Sequence, residues 1–460
     1  MYEIDFKKPE HVYFCGIGGI SMSGLAEILL DEGFAVSGSD SRETNLTHHL
    51  ESLGAEIFIG QRAENIREGI DVMVYTAAIH PDNPEFVECV RRGIPMLTRA
   101  QLLGQMMRNY RTAVAVAGTH GKTTTTSMIA EILLAADQDP TISVGGMLGT
   151  IGGNIRVGGP DYFVMEACEY TNSFLEFYPT LSIILNIEED HLDFFADLDD
   201  IRSSFKQFAD RLPADGLLVI NSDIENYKEL LEGLPCPYVT YGIDAAESRY
   251  SARNIRLDQY ARPSFELLVD GESRGMVNLG VTGNYNVQNA LAAIAAADSM
   301  GISMEAVRHG LLHFTGAQRR FEKKGVIGGV TIIDDYAHHP SEIRATLTTA
   351  QNYPHKKVWC VFQPHTYSRT KAFLDDFSET LSLADVVVLA DIYAARETDT
   401  LGVSSTQIAE KIQAMGKIAY YFPTFDEIEN FLLQKCENGD LLITMGAGDI
   451  VKVGENLLGL

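Results

Sequence analysis

The chain has 460 residues, 45% hydrophobic and 22% charged, with 63 acidic against 36 basic side chains and a formal net charge of −27. That length exceeds one ordinary core and predicts about two to four domains, while the acidic balance argues against a general nucleic-acid or membrane surface. No apolar run approaches the roughly 20 residues that span a bilayer, the N-terminus has no leader-like pattern, and six scattered cysteines form neither a disulfide framework nor a paired metal spacing, so the cytoplasm is the expected compartment.

Residues 1 to about 110 open on Val12-Tyr13-Phe14-Cys15, followed by Gly16-Ile17-Gly18-Gly19 and a predicted helix from Ser21 to Leu30. A second strand near Ala35–Ser37 leads to Gly38-Ser39-Asp40, and further strand-like runs lie at 55–59, 72–75 and 94–97. This alternation predicts a parallel, Rossmann-like sheet, with Asp40 where such sheets meet a nucleotide ribose or base. Ser21 stands where a G-x-G-x-x-G fingerprint needs its third glycine, so the pattern predicts a nucleotide diphosphate and leaves its identity open. Tight strand–helix packing is the competing explanation of these glycines.

The next block, about 111 to 322, begins with the apolar run Val114–Ala117 and breaks into Gly118-Thr119-His120-Gly121-Lys122-Thr123-Thr124 before a predicted helix through Ala136. A strand, a glycine-bounded loop and a helix N-terminus present backbone N–H groups to a phosphate chain. Lys122 adds an ammonium and Thr123 a hydroxyl for Mg²⁺. Two residues separate these glycines instead of the usual four. Two later strand-like runs end in Glu166-Ala167-Cys168-Glu169 and in Asn186-Ile187-Glu188-Glu189-Asp190-His191. Functional groups collect beyond the C-terminal ends of parallel strands, so Thr123, Glu166 and His191 are expected to converge on Mg²⁺. An N-cap role for Glu166 and a turn role for His191 are the bland alternatives. Residues 240 to 280 read as polar antiparallel strands. Asn286 and Asn289 then open an alanine-rich helix on one face, either to read an adenine edge or simply to start the helix.

The last block, about 323 to 460, follows Arg319-Arg320-Phe321-Glu322 and carries strand-like runs at 330–333, 358–362, 386–389, 418–421 and 441–444. These predict a second Rossmann-like sheet. Its strand ends carry Asp334-Asp335-Tyr336-Ala337-His338-His339-Pro340, Gln363-Pro364-His365-Thr366-Tyr367-Ser368-Arg369, the segment Asp391 to Glu397 including Arg396, and Gly446-Ala447-Gly448-Asp449. Polar clusters on nearly every strand end mark a working face.

In this order, from Val12 to Asp449, the motifs resemble the Mur ligase family. The resemblance rests on Gly16–Gly19 with Ser21-Met22-Ser23-Gly24, Gly118–Thr125, Asn186–His191, Asp334–Pro340 and Gln363–Arg369. It implies three α/β domains: a UDP-sugar-binding Rossmann-like domain at 1–110, a central P-loop ATP-binding domain at 111–322, and an amino-acid-binding Rossmann-like domain at 323–460. The implied reaction is ATP-dependent amide formation in peptidoglycan precursor synthesis. The lactyl carboxylate of UDP-N-acetylmuramate is phosphorylated, the amine of L-alanine attacks the acyl phosphate, and a tetrahedral intermediate expels phosphate. ATP and Mg²⁺ are the implied cofactors, with neither nucleic acid nor membrane insertion, in a monomer or homodimer.

The resemblance assigns Gly16, Ile17, Gly18, Gly19, Ser21 and Asp40 to the UDP-sugar. It assigns Gly118, Thr119, His120, Gly121, Lys122, Thr123, Thr124, Asn286, Asn289, Arg320 and Asp335 to ATP, and Thr123, Glu166 and His191 to the metal. His365 and Arg369 would meet the amino acid, and Lys122, His191, His338 and Arg369 would serve the chemistry. The chain departs from the commoner pattern at Tyr285 (a frequent histidine), Thr366 (a frequent arginine) and Cys168 and Tyr170 (a more acidic stretch). Lys206 falls near a position that related ligases use as a carbamylated lysine, and reads here as an ordinary helix lysine. The rival within the family is a recycling ligase that adds a preformed peptide to the same sugar nucleotide. Outside it stands a nucleotide-sensing protein that binds ATP without carboxylate-dependent turnover.

Overall fold

A computed structural model describes residues 2–76, 78–243, 248–395, 397–399 and 401–460. They form three sheets, each restarting the strand pattern. The first has five parallel strands in the order Glu56–Ile59, Ala35–Asp40, His11–Cys15, Val72–Tyr75, Met96–Thr98. The His11–Cys15 strand feeds its glycine loop directly into the helix Ile20–Asp31.

The second sheet has ten strands, with the P-loop strand Thr112–Ala117 held between the parallel strands Leu181–Ile184 and Tyr162–Ala167. Its sequence Thr-Ala-Val-Ala-Val-Ala explains why it can be central. Ala113, Ala115 and Ala117 pack into the core shared with the N-terminal sheet, while Val114 and Val116 pack into a second core. Each fully buried valine contributes about 1.5–3 kcal/mol, and the small alanines let the opposite layer approach. The second core also takes the helices Lys122–Ala135, Asn286–Ser299 and Met304–His313. A Cβ at Gly310 would stand 2.7 Å from the Ile132 Cα, so the close crossing of two of these helices requires glycine there. The predicted antiparallel strands appear as Tyr250–Leu257, Pro263–Val269 and Glu272–Asn278.

The third sheet has six strands, ordered Glu322–Ile327, Val330–Asp335, Leu441–Met445, Val358–Phe362, Val386–Leu389, Ile418–Tyr421. Its first strand was not anticipated from the sequence. It turns back antiparallel through Gly328 and Gly329, whose φ values of 58° and 81° suit a tight hairpin. Elsewhere the differences are small: the second strand runs on to Asp40 and the fifth starts at Met96. Among the described residues no helix is long and apolar enough to cross a membrane.

Candidate active site

The two glycine loops sit on adjoining sheets and are built alike. In the first, Gly16 has a φ of 87°, and the N–H groups of Gly16 and Ile17 both donate to the Ser39 carbonyl at 2.8 and 2.9 Å. The Ile17 side chain is fully buried, so Ile17 shapes the loop from the core and its N–H is already committed. The Gly18 N–H donates to Asp40 Oδ2 at 2.8 Å, which seats the acidic residue on the loop itself. Gly19 begins the helix without a side-chain cap. The Ser21 hydroxyl accepts from the Arg99 guanidinium at 3.0 Å. Arg99 is a partner the sequence did not announce: it opens a separate helix, Arg99–Met107, and lies 78 residues from Ser21.

In the second loop Gly118 and Gly121 have φ values of 146° and 83°. A Cβ at Gly121 would meet Asn289 Oδ1 at 2.6 Å, so the loop needs glycine both for its backbone and for the approach of the helix Asn286–Ser299. Asn186 holds the loop by accepting from the His120 N–H at 2.7 Å and donating to the His120 carbonyl at 3.0 Å. Thr119 is clasped by Glu188, whose N–H donates to the threonine hydroxyl at 2.9 Å.

The Lys122 ammonium turns back over its own loop, donating to the carbonyls of Gly118 and Thr119 and to Glu169 Oε2, the last at 3.0 Å. Burial works against its charge, but the Glu169 carboxylate outweighs that and holds the lysine firmly protonated. Glu169 is buried and also lies 3.8 Å from His191 Nε2. The signal for it was its place three residues after Glu166, beyond the same strand end. His191 has a φ of 53°, an uncommon backbone for a non-glycine residue, and stacks on Tyr170 with ring centroids 4.5 Å apart. Tyr170, a departure from the commoner pattern, therefore backs the histidine.

Glu166 accepts from the Gly145 N–H, and a Cβ on the next residue, Gly146, would lie 3.3 Å from the Thr123 methyl. One Gly-Gly segment thus brings the Glu166 carboxylate and Thr123 to the same place. Carboxylate and hydroxyl there suit a hard divalent cation, while the His191 imidazole lies 3.8 Å from both Glu169 and Asp190. Lys206 ion-pairs with Asp210 at the end of its own helix.

A cavity of about 200 Å³ joins the P-loop to the third sheet's domain. His120, Gly121, Thr123 and Thr124 form one wall, Tyr285 and Asn289 a second, and Arg320, Asp335 and Glu342 a third. Asn289 lines the space, whereas Asn286 supports it from behind, accepting from the Asn289 amide at 2.9 Å. Arg320 lies between Arg319 and Phe321, both at positive φ, where the chain crosses from the second sheet to the third. Asp335 accepts from the N–H groups of Phe321 and Ala337, each at 2.8 Å, and burial pushes its carboxyl up to about 6 against the pull of Arg320.

On the far side of this wall, His338 Nδ1 faces the Tyr336 carbonyl at 3.0 Å and Glu342 at 3.3 Å; burial holds its imidazole down to about 4. His365 stacks on Tyr393, and its Nδ1 lies 3.3 Å from the Arg369 guanidinium. Arg369 NH2 donates to Asp190 Oδ1 at 2.7 Å, with both side chains nearly buried. Its Nε is buried without a hydrogen-bond partner among the described residues. Asp190 neighbours His191, so this pair ties the third sheet to the metal-side loop. Thr366, with a φ of 66°, caps the short helix that carries Arg369. Arg396 lies outside the described residues.

His120, Glu188 and His339 bring ligand-type atoms within 4.8 Å of one another. Both His120 nitrogens already face carboxylates, Glu342 at 3.2 Å and Glu188 at 3.3 Å. Burial disfavours its charge, but these acids raise it to about 9. His339 Nδ1 accepts from Ser341 at the helix start, and its Nε2 meets the Glu189 carbonyl at 3.0 Å. With a proton on each nitrogen, His120 can donate to both of these carboxylates.

Three family models match in succession: "Mur ligase family, catalytic domain" over residues 11–111, "Mur ligase middle domain" over 116–297 and "Mur ligase, glutamate ligase domain" over 319–448. A UDP-N-acetylmuramate–L-alanine ligase of Lachnospira eligens is 61% identical over 458 residues, covering 100% of both chains. Its counterpart from Agathobacter rectalis is 60% identical with the same coverage. The crystal structure of a UDP-N-acetylmuramate-alanine ligase from Thermotoga maritima superposes with a TM-score of 0.79 at 31% identity, covering 98% of each chain. A murein peptide ligase from Psychrobacter arcticus superposes at 0.68 with 24% identity over 98% of each chain, a likeness of fold alone. With matching domains in order and relatives this similar along its whole length, the chain belongs to the Mur ligase family.

Proposed function

We infer that this ligase uses ATP to join L-alanine to the lactyl carboxylate of UDP-N-acetylmuramate, a step in peptidoglycan precursor synthesis. The observation that carries the reading is 61% identity over the whole chain to a relative of that name. The peptide-adding alternative has a weaker likeness behind it: a UDP-N-acetylmuramate:L-alanyl-gamma-D-glutamyl-meso-diaminopimelate ligase from Neisseria meningitides is 31% identical and covers 68% of this chain, against 61% over the whole chain for the alanine ligase. Both nucleotides are intracellular metabolites, which assigns the enzyme to the cytoplasm.

In this reading the domains are 1–110, 111–322 and 323–460, for sugar nucleotide, ATP and amino acid. A carboxylate oxygen is a poor leaving group, so it must first become an acyl phosphate. Transfer between two anions needs charge neutralisation and alignment more than covalent help. Gly118–Thr124 cradle the phosphates by backbone N–H groups, and Lys122 leaves Glu169 to meet them. Asn289, steadied by Asn286, faces adenine beside Tyr285; Asp335 meets the ribose and Arg320 a phosphate. Thr123, Glu166 and His191 hold Mg²⁺, which when bound neutralises phosphate charge. Gly18, Gly19, Ser21 and Asp40 hold the UDP-sugar, with Gly16 and Ile17 shaping their loop and Arg99 anchoring Ser21. His365 and Arg369 take the amino acid, and the buried Nε of Arg369, unpartnered among the described residues, supports a carboxylate contact there. His338, kept neutral by burial, orients the reacting groups.

The test is phosphate release from ATP and Mg²⁺ with UDP-N-acetylmuramate and each amino donor in turn. Release that requires both the sugar nucleotide and L-alanine, with the matching amide product, is expected. Release only with a peptide donor, or with no donor, overturns the reading.

A further inference from the structure

Glu342 is a largely buried carboxylate, two residues into the helix Pro340–Gln351, at the meeting point of the P-loop domain and the C-terminal domain. One oxygen lies 3.2 Å from His120 Nδ1 on the P-loop and 3.9 Å from the Arg320 guanidinium. The other accepts from the His338 N–H at 3.1 Å and lies 3.3 Å from His338 Nδ1. It is therefore shared among the phosphate loop, the domain crossing and the acceptor-side histidine.

An anion on the wall of a cavity for a polyanionic nucleotide is unfavourable for that nucleotide's binding. Its presence calls for a different benefit, and its contacts supply one. With the Tyr336 carbonyl it fixes His338 as the tautomer with hydrogen on Nδ1, leaving Nε2 free as an acceptor. Through His120 it holds the helix that follows His338 against the P-loop. His338 and His120 do not share an element, so the connection between them runs through this carboxylate.

We propose that Glu342 is a positioning residue that couples the nucleotide seat to the amino-acid side, setting His338 in register with the P-loop at some cost in nucleotide affinity. The proposal rests on the ligase reading above and adds a role for a residue that contacts neither reacting group.

The test compares wild type with Glu342→Gln and Glu342→Asp. Nucleotide affinity is measured with a non-hydrolysable ATP analogue and Mg²⁺, and KM for L-alanine and kcat by phosphate release. Glu342→Gln is expected to bind the analogue as tightly as wild type or more so, while KM for L-alanine rises roughly tenfold and kcat falls, the scale of one lost hydrogen bond to a charged group. Glu342→Asp keeps the charge but withdraws it, and is expected to raise KM for L-alanine without strengthening nucleotide binding. If Glu342→Gln does not fold, Glu342→Asp decides by the same split. Parallel loss of nucleotide and L-alanine affinity, as from general damage to the site, overturns the proposal; so does no change in either. A wild-type enzyme without L-alanine-dependent release would instead overturn the ligase reading itself.

Discussion

The two glycine loops share an architecture but satisfy their anion seats in different ways. At Gly16–Gly19 the protein fills the seat with its own anion: Asp40 accepts from Gly18. At Gly118–Gly121 it stores a cation instead, Lys122 held by Glu169 and by loop carbonyls. The first loop is a backbone cradle whose acidic occupant must yield to, or share with, a ligand's hydroxyls. The second carries its own positive charge and must exchange one anionic partner for another. A seat for a nucleoside diphosphate sugar can be made from N–H groups and one acid, whereas phosphoryl transfer demands a movable ammonium.

The largest effect that would break this contrast is at Lys122. Lys122→Ala should lower kcat by about 10³-fold or more, as expected on removing a main transition-state cation, while UDP-N-acetylmuramate affinity stays within about twofold. Because Glu169 would then be buried with only the His191 ring, 3.8 Å away, beside it, at a cost of up to about 3–5 kcal/mol, the same comparison belongs in a Glu169→Gln background as well. Equal loss of both nucleotides, read by calorimetry, would mean that the loops are not separate seats. Next come the glycines. Gly121→Ala must adopt a left-handed backbone and push aside Asn289, so ATP affinity should fall by at least about tenfold with the sugar nucleotide unaffected. Gly18→Ala places a Cβ 2.8 Å from Asp40 Oδ2 and should weaken the sugar nucleotide by about tenfold with ATP affinity kept. A crossed pattern would merge the two seats.

Much of this site was legible in the chain because its residues follow strand ends in order. Lys122, Glu166, His191, Asp335, His338 and Arg369 all lie at or beyond the C-terminal ends of parallel strands, and pattern alone finds such places. Arg99, Glu169 and Glu342 escaped notice for a shared reason. Each matters through a partner distant in sequence: Ser21, Lys122 and His120 respectively. A charged residue in a helix's first turn looks like ordinary capping until the fold supplies what it faces. The extra hairpin strand Glu322–Ile327 was missed differently, since its polar Glu-Lys-Lys start hides an edge strand. Asn286 was visible but its duty was not, because spacing cannot tell the amide that lines a cavity from the one that braces it.

The contrast also has a pH signature, smaller than the substitutions above and confined to the second loop. His120 is faced by Glu342 from the C-terminal helix, by Glu188 from the loop beyond Leu181–Ile184, and by Ser341 and the ring of His339. Its folded value is raised from 6.5 to about 9, so its contribution to stability is full below about 6.5 and is lost as pH rises through about 9. The loss amounts to at most about 3 kcal/mol across that window. Burial holds His339 below its ordinary value, which gives it a contribution of the opposite sign, confined to the low-pH end of that window. Urea unfolding of the wild type should therefore show stability declining between pH 6.5 and 9.5, and His120→Gln should show a flatter profile over the same range. The decline should appear in the unit that joins the second and third sheets, because the imidazolium is what Glu188 and Glu342, on opposite sides of that junction, hold in common. An identical slope in the variant would place the titration elsewhere, and the P-loop would then lose its claim to be the proton-dependent one of the pair.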